Sequence, residues 1–170
     1  MKGFLIGLLI GILLAPAAVF AYLRLGYAPA AALGPALPLE KTIAGMALKA
    51  HIAKEAPANA AVPLTDDALM AGAHIYRENC AVCHGMPNQE KTATAKGMYP
   101  APPQLFHGKG VTDDEVGETY WKVANGIRLT GMPGYRGSLT EDEIWQVSLL
   151  LAHADKLPAP VTAFLSPPVK

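Results

Sequence analysis

The sequence predicts an all-α protein in which one apolar N-terminal helix precedes a small helical domain. Residues 3–23 contain no charged side chain, and a helix of that length can cross the roughly 30 Å hydrocarbon core of a bilayer. Further along, three segments repeat apolar residues at helical spacing behind capping residues. No stretch of useful length shows the alternation typical of a β-strand, and no internal repeat is present.

Charge and composition argue against nucleic acid as a partner. The 170 residues carry 14 basic and 14 acidic side chains, so the formal net charge is zero and nothing indicates nucleic-acid binding. From residue 66 to residue 156 there are 8 basic and 12 acidic side chains, a net charge of −4. That segment has either an ordinary soluble surface or an electrostatic face for a basic protein partner.

The apolar N-terminal segment has two interpretations. As an uncleaved helix, residues 1–24 would anchor the protein in a membrane, where Pro16 is tolerated. As a signal peptide, residues 4–14 would form the apolar core and cleavage would follow Ala21. The unbroken length favours the anchor, because signal cores usually run only about 7–15 residues. Both interpretations export everything after residue 24.

The remainder of the chain is predicted to form a linker, one domain and a tail. Residues 25–64 are the linker, which begins with a run rich in Ala, Pro and Gly. Within it, residues 39–56 can form a short amphipathic helix that Pro57 ends. The helical domain is predicted over residues 65–157, and a loosely ordered, Pro-rich tail over residues 158–170.

Three helices with capping signals make up the predicted domain. Thr65 can cap the first, whose opening turn contains two aspartates. The second follows a capping-box pattern at residues 112–115 and stops at Gly126. The third follows a capping box at residues 140–143. A loop rich in Pro and Gly, residues 85–110, separates the first two.

The most specific motif is Cys-x-x-Cys-His at residues 80–84, which is the attachment sequence for haem c. The thiols of Cys80 and Cys83 would each add across one vinyl group of the haem, and His84 would then lie beneath the iron as its first axial ligand. A redox dithiol would need a strand–helix–strand context, and a zinc site would need a second pair of ligands. The sequence shows neither, so one covalent haem c is the predicted cofactor.

A second axial ligand must come from elsewhere in the chain. The candidates are Met86, Met98, His107, Met132 and His153. Met86 is too close to His84 to reach across the haem. Met98 and His107 belong to a loop expected on the proximal side. His153, in the last helix, is expected to face solvent.

Met132 is the predicted second ligand. Gly131 allows the backbone to approach the haem, and Pro133 stiffens the loop that holds the sulfur. A soft thioether also suits iron and raises its potential relative to histidine. The alternative for Met132 is ordinary core packing.

With these motifs, the segment from about residue 65 to residue 155 resembles a class I cytochrome c, the small all-helical fold named for mitochondrial cytochrome c. The matching residues are Gly72, Tyr76, the motif at 80–84, residues 101–105, Gly131-Met132-Pro133 and Trp145. The resemblance implies that Gly72 permits a crossing of the first and last helices, with Tyr76 and Trp145 packed there. It also implies that a proline carbonyl holds His84. Pro103 matches best, with Pro100 and Pro102 as alternatives.

Two further residues are candidate partners of a haem propionate. Arg128 lies four residues before Met132, where its guanidinium can pair with that carboxylate. Trp121 can donate its indole N–H to the same group. The alternatives are a solvated charge for Arg128 and ordinary core packing for Trp121.

An iron with His on one side and Met on the other has no open position, which favours electron transfer over chemistry at the metal. The first hypothesis is an electron carrier, not an enzyme, that is tethered to the membrane and serves redox protein partners in a respiratory chain. The second is the cytochrome subunit of a membrane dehydrogenase or oxidase complex; glycines 3, 7 and 11 would suit helix packing. The third is a haem enzyme or gas sensor that loses Met132 on activation.

The expected location follows from haem chemistry. The resemblance implies attachment on the outer side of an energy-transducing membrane, where the thiols must meet haem before they form a disulfide. We therefore expect a single-pass protein of the inner membrane with its haem domain on the periplasmic side. Lys2 and Arg24 flank the helix equally and give no positive-inside bias. No small-molecule substrate is expected.

Overall fold

The structure, a computed structural model, describes residues 2–106 and 113–166. The chain divides into two compact units, Met1–Ile43 and Ala44–Lys170. All regular secondary structure in the described residues is helical, and none of them lies in a β-strand. The predicted all-α fold class is confirmed.

The first unit contains helix α1 (Lys2–Arg24), in which Pro16 is an interior residue. None of its side chains is buried in the protein. By length and composition α1 can cross a membrane, a criterion that a signal sequence also meets. The helix lies where the sequence predicted one.

Helix α2 (Glu40–Glu55) lies where the sequence predicted a short helix, but its surroundings were not foreseen. Ile52 is buried, with 3% of its surface exposed. Further along, Ala60 and Val62 pack against the core of the second unit. Residues 44–64 therefore belong to that unit, whereas the sequence placed the boundary between linker and domain at residue 65.

The described part of the second unit continues with α3 (Asp66–Ile75), α4 (Ala81–His84), α5 (Ala93–Lys96), α6 (Val116–Asn125), α7 (Glu141–Ala152) and α8 (Ala159–Leu165). A π-helical turn, Tyr76–Cys80, joins α3 to α4. Such turns are rare and occur often at functional sites. Here it delivers the Cys-x-x-Cys-His motif directly from the end of α3.

Three predicted helix ends are present: two are N-termini capped by threonine side chains, and one is a C-terminus that ends at glycine. Thr65 Oγ1 accepts from the backbone N–H of Ala68 at 3.1 Å and starts α3. At α7, Thr140 and Glu143 form the complete capping box. Gly126 ends α6 with a φ of +70°, a backbone conformation that favours glycine.

The start of α6 differs from the prediction. The helix begins at Val116 with Glu115 as its N-cap, and no side chain caps it there. Asp114 accepts a hydrogen bond from the Lys122 ammonium instead. Its carboxylate therefore forms an ion pair and does not cap the first turn of α6. Thr112, the predicted capping residue, lies outside the described residues.

The core centres on the crossing of α3 and α7. A Cβ on Gly72 would lie 2.4 Å from the carbonyl oxygen of Gln146, so only glycine lets the two backbones approach this closely. This agrees with the role that the resemblance implied for Gly72. Buried side chains fill the space around the crossing: Leu69, Ala73, Ile75, Tyr76, Tyr120, Val123, Ile144, Trp145, Val147, Leu149 and Leu150.

The aromatic side chains at the crossing are buried. Tyr76 and Trp145 both belong to the core cluster there, which agrees with the packing that the resemblance implied. Trp145 stacks on Tyr120 with ring centroids 4.0 Å apart. The Tyr76 ring meets Phe106 edge-on at 5.0 Å, and the Tyr76 hydroxyl donates to the carbonyl of Gly85.

The expectation of a loosely ordered C-terminal tail is wrong for residues 159–165. They form α8, which packs on α3 and buries Val161 and Leu165. The guanidinium of Arg77 lies 4.7 Å from the Phe164 ring centroid and donates to the Phe164 carbonyl at 3.3 Å. Apolar burial and this cation–π contact hold the segment.

Candidate functional site

Two tyrosine hydroxyls hold the Cys-x-x-Cys-His motif at its ends. The Tyr76 hydroxyl donates to the carbonyl of Gly85, just after the motif, at 2.6 Å. The Tyr135 hydroxyl donates to the carbonyl of Asn79, just before it, at 3.0 Å. No sequence pattern identifies Tyr135, since its partner lies 56 residues away and no local pattern links the two.

The imidazole of His84 is oriented by a distant carbonyl. Its Nδ1 lies 2.8 Å from the carbonyl oxygen of Pro103, which among the three candidate prolines is the one that the resemblance matched best. A carbonyl can only accept, so Nδ1 must donate and Nε2 keeps its lone pair for a metal. Burial lowers the pKa of His84, although the hydrogen bond to Pro103 acts in the opposite direction. The neutral form that coordinates iron is thus favoured.

The two cysteines are free and half-buried. Burial, and secondarily the charge of Cys83, raises the pKa of Cys80 to about 12. Cys80 is therefore a thiol at neutral pH, the form that carries the hydrogen needed for addition across a vinyl group.

One cavity brings the predicted ligands together. Cys80, Cys83, His84 and Met132 all line it, although they come from α4, the preceding turn and a loop far along the chain. The rest of its lining is mostly apolar: Asn79, Met98, Pro100, Ala101, Pro102, Pro103, Val123, Ile127, Thr130, Gly131, Pro133 and Tyr135.

The cavity wall contains a second thioether, that of Met98. Met98 was expected on the proximal side, yet it lines the same cavity as Met132. A Cβ on Gly131 would lie only 1.9 Å from the terminal methyl carbon of Met98. Gly131 therefore makes room for the Met98 side chain next to Met132, a role beyond the predicted one of letting the backbone approach the haem.

The other candidate ligands lie elsewhere. Met86 packs against the hydrophobic core. His153 is half-buried, with Nδ1 2.9 Å from the carbonyl oxygen of Leu149, so it is engaged at the end of α7 rather than pointing freely into solvent as expected. His107 lies outside the described residues. Neither Met86 nor His153 lines the cavity.

A second cavity adjoins the first. Both are lined by His84, Pro103, Val123, Ile127 and Met132. The second adds Leu48 from α2 and Lys122 from α6. The Lys122 ammonium pairs with the carboxylate of Asp114, which lines this cavity as well.

The structure does not bring the two predicted propionate partners to the site. The Trp121 indole N–H donates to Glu55 Oε2 at 2.9 Å, because α2 lies against that face of α6. Arg128 is exposed and does not line either cavity. Lys122 lies at the wall of the second cavity, and no sequence pattern singled it out.

The residues present fit a covalently attached haem. Two thiols, an oriented neutral imidazole, a thioether and apolar walls converge on one space. The zinc alternative has no support: in residues 2–106 and 113–166, no three or more His, Cys, Asp or Glu side chains form a group able to hold a metal ion.

A family model and a solved structure resemble parts of this chain. Residues 67–149 match the family model described as cytochrome c oxidase, cbb3-type, subunit III. A comparison with curated protein sequences found no match. Among solved structures, a chain of the reducing HAO-like protein complex of Kuenenia stuttgartiensis is 24% identical with a TM-score of 0.48. The match covers 56% of this chain and 48%, about half, of that one. Residues 67–149 of this protein form a c-type cytochrome domain, which lies behind an apolar N-terminal helix.

Proposed function

We propose that this protein transfers electrons through a single haem c with His84 and Met132 as axial ligands, as a membrane-tethered carrier in a respiratory chain. Electron transfer by haem is the activity of c-type cytochrome domains, and residues 67–149 form one. The single observation that carries the finer proposal is the cavity that both cysteines, His84 and Met132 line together.

Each residue has a distinct task in this proposal. Haem c, when bound, supplies the one-electron chemistry. Cys80 and Cys83 hold it by thioether bonds, and the Pro103 carbonyl keeps the His84 ring in the orientation and tautomer that coordinate iron. The apolar walls exclude water, which tunes the potential. Lys122, which pairs with Asp114 at the wall of the second cavity, is the partner we propose for a propionate.

Attachment is tested with cysteine variants expressed alongside a haem-attachment system. We expect Cys80→Ala or Cys83→Ala to reduce covalent haem sharply, since each thiol holds one vinyl edge. A haem-stained denaturing gel is the readout, with wild type as the reference. Normal covalent haem in the double variant would refute attachment at this motif.

A second candidate function is the cytochrome subunit of a membrane oxidoreductase complex. The matching family model describes subunits of an oxidase, and Gly3, Gly7 and Gly11 leave open space along α1 at intervals of four residues, as helix-packing faces do. Purification from membranes in mild detergent separates the two functions. Stoichiometric partner subunits would favour the complex, and a lone cytochrome would favour the carrier.

We also propose that α1 stays in the mature protein and that the haem domain faces the periplasm. The length and composition of α1 support the anchor. Mass spectrometry of the membrane-extracted protein should find residues 1–21 present. Protease added to right-side-out spheroplasts should release a haem-bearing fragment cut within residues 27–38. Release from inside-out vesicles alone would reverse the orientation.

A further inference from the structure

Helix α2 contributes directly to the proposed haem site. Leu48 lines the second cavity together with His84 and Met132. One helical turn later, Ile52 is 3% exposed, whereas Ile43 in the same helix is 62% exposed. The helix therefore presents one apolar face to the protein and leaves the rest in solvent.

The C-terminal end of α2 is attached to α6 through Trp121. The Trp121 indole N–H donates to Glu55 Oε2 at 2.9 Å. The His51 ring meets the Trp121 ring at an angle of 65°, with centroids 5.7 Å apart. Glu55 also lies 3.2 Å from His51 Nε2. Three side chains thus form one polar and aromatic contact between the two helices.

The turn after α2 lies directly against α6 at Gly117, which has no side chain to keep the two backbones apart. A Cβ built on Gly117 would lie 1.7 Å from the carbonyl oxygen of Pro57. Backbone atoms cannot yield as a flexible side chain can, so any residue other than glycine would push residues around Pro57 away. Trp121 and Gly117 are four residues apart, about one turn of α6, so the end of α2 and the turn after it contact a single face of that helix.

We infer that residues 48–57, here called the docked segment, form a fixed wall of the haem crevice, with Leu48 against the cofactor space and Trp121 and Gly117 as positioning residues. The inference rests on the proposed function, because it assigns a haem-lining role to part of the apparent linker. Its consequence is exclusion of water from one side of the crevice, which stabilises the less charged iron state and raises the potential.

Docking is tested by limited trypsin digestion of the full-length, haem-loaded protein in detergent. The bonds after Lys49 and Lys54 should resist cleavage in wild type. Gly117→Ala should make them cleave about tenfold faster, since proteolysis follows the population of the opened state. The matched control is Gly45→Ala, in the same helix as the cut sites, where a Cβ meets nothing within 4 Å. Equal cleavage rates in Gly117→Ala and wild type would overturn the docking.

The haem-lining role is tested by Leu48→Asn, with Met46→Asn as control because Met46 is 67% exposed. In Leu48→Asn, water admitted to the crevice should lower the midpoint potential, and Met46→Asn should leave it at the wild-type value. An unchanged potential in Leu48→Asn overturns the inference and leaves electron transfer standing. Absence of covalent haem in wild type, read on a haem-stained gel, would instead overturn the proposed function, whereas the redox titration tests the role of Leu48, so the two failures are distinguishable.

Discussion

The carbonyl oxygen of Pro103 lies 2.8 Å from Nδ1 of His84, across 19 residues of chain. An acceptor on the far nitrogen of a ligating histidine sets its tautomer and makes the coordinating nitrogen more basic. The rigid backbone of proline keeps that acceptor in place. The pair thus links the loop after the motif to the electronic properties of the proposed iron site.

Pro103→Ala should loosen this contact, because the carbonyl remains but the backbone gains freedom. We expect a loss of about 0.5–1 kcal/mol in the free energy of unfolding and a higher midpoint potential, since the imidazole becomes a weaker donor. Denaturant unfolding and a redox titration measure the two effects. Pro102→Ala is the control; a potential shift there, without one in Pro103→Ala, would contradict the assignment.

Met132→Ala should abolish the weak far-red sulfur-to-iron band of the oxidised protein and let carbon monoxide bind the reduced iron. The reason is the loss of the only proposed ligand on that side. Met98→Leu is the matched control, since Met98 lines the same cavity and the change removes only its sulfur. Survival of the band in Met132→Ala and its loss in Met98→Leu would move the ligand to Met98.

Gly72→Ala should strain the crossing of α3 and α7. The new Cβ would lie 2.4 Å from the Gln146 carbonyl oxygen, and relieving such overpacking costs about 1–3 kcal/mol. Chemical denaturation of the haem-loaded protein measures the cost. Gly137→Ala, which meets nothing within 4 Å, should change the stability little. Equal stabilities of the two variants would argue against a close crossing.

Leu165→Ala should destabilise the domain, because Leu165, the last residue of α8, is completely buried. Truncation of a buried leucine costs about 2–5 kcal/mol. Leu64→Ala is the matched control, since Leu64 is 51% exposed. The measurement is thermal or denaturant unfolding. A wild-type melting curve for Leu165→Ala would mean that α8 does not dock in solution.

The capping box of α7 should produce a pH-dependent term in stability. Hydrogen bonds from the backbone N–H and hydroxyl of Thr140 lower the pKa of Glu143 below its usual value. Because the folded pKa is lower than the unfolded one, the contribution is present above the unfolded pKa and is lost as pH falls through the folded value. Wild type should therefore be more stable than Glu143→Gln at pH 7. Unfolding measured between neutral and acid pH should show that difference disappearing; a constant difference would contradict the assignment.

Several features of the protein depend on residues that are close in sequence, and the sequence alone determined them. The attachment motif works through the spacing of Cys80, Cys83 and His84, which an α-helical turn largely imposes. Thr65 and Thr140 start helices by bonding backbone groups three residues ahead. The uncharged length of α1 is likewise a local property. In each case the relevant partners lie within one turn or one segment, so a pattern can reveal them.

Other features depend on which surfaces meet, and only the tertiary structure decided them. The Trp121 indole N–H could donate to a haem propionate or to a carboxylate of the protein. In the structure its acceptor is Glu55, 66 residues away, which the packing of α2 places beside it. The same docking moves the domain boundary back to residue 44 and puts Leu48 at the cavity. Tail residues become α8 because α3 offers an apolar face to cover Val161 and Leu165. Burial of apolar surface is non-directional, so sequence patterns show that a face will be covered, whereas three-dimensional packing selects the segment that covers it.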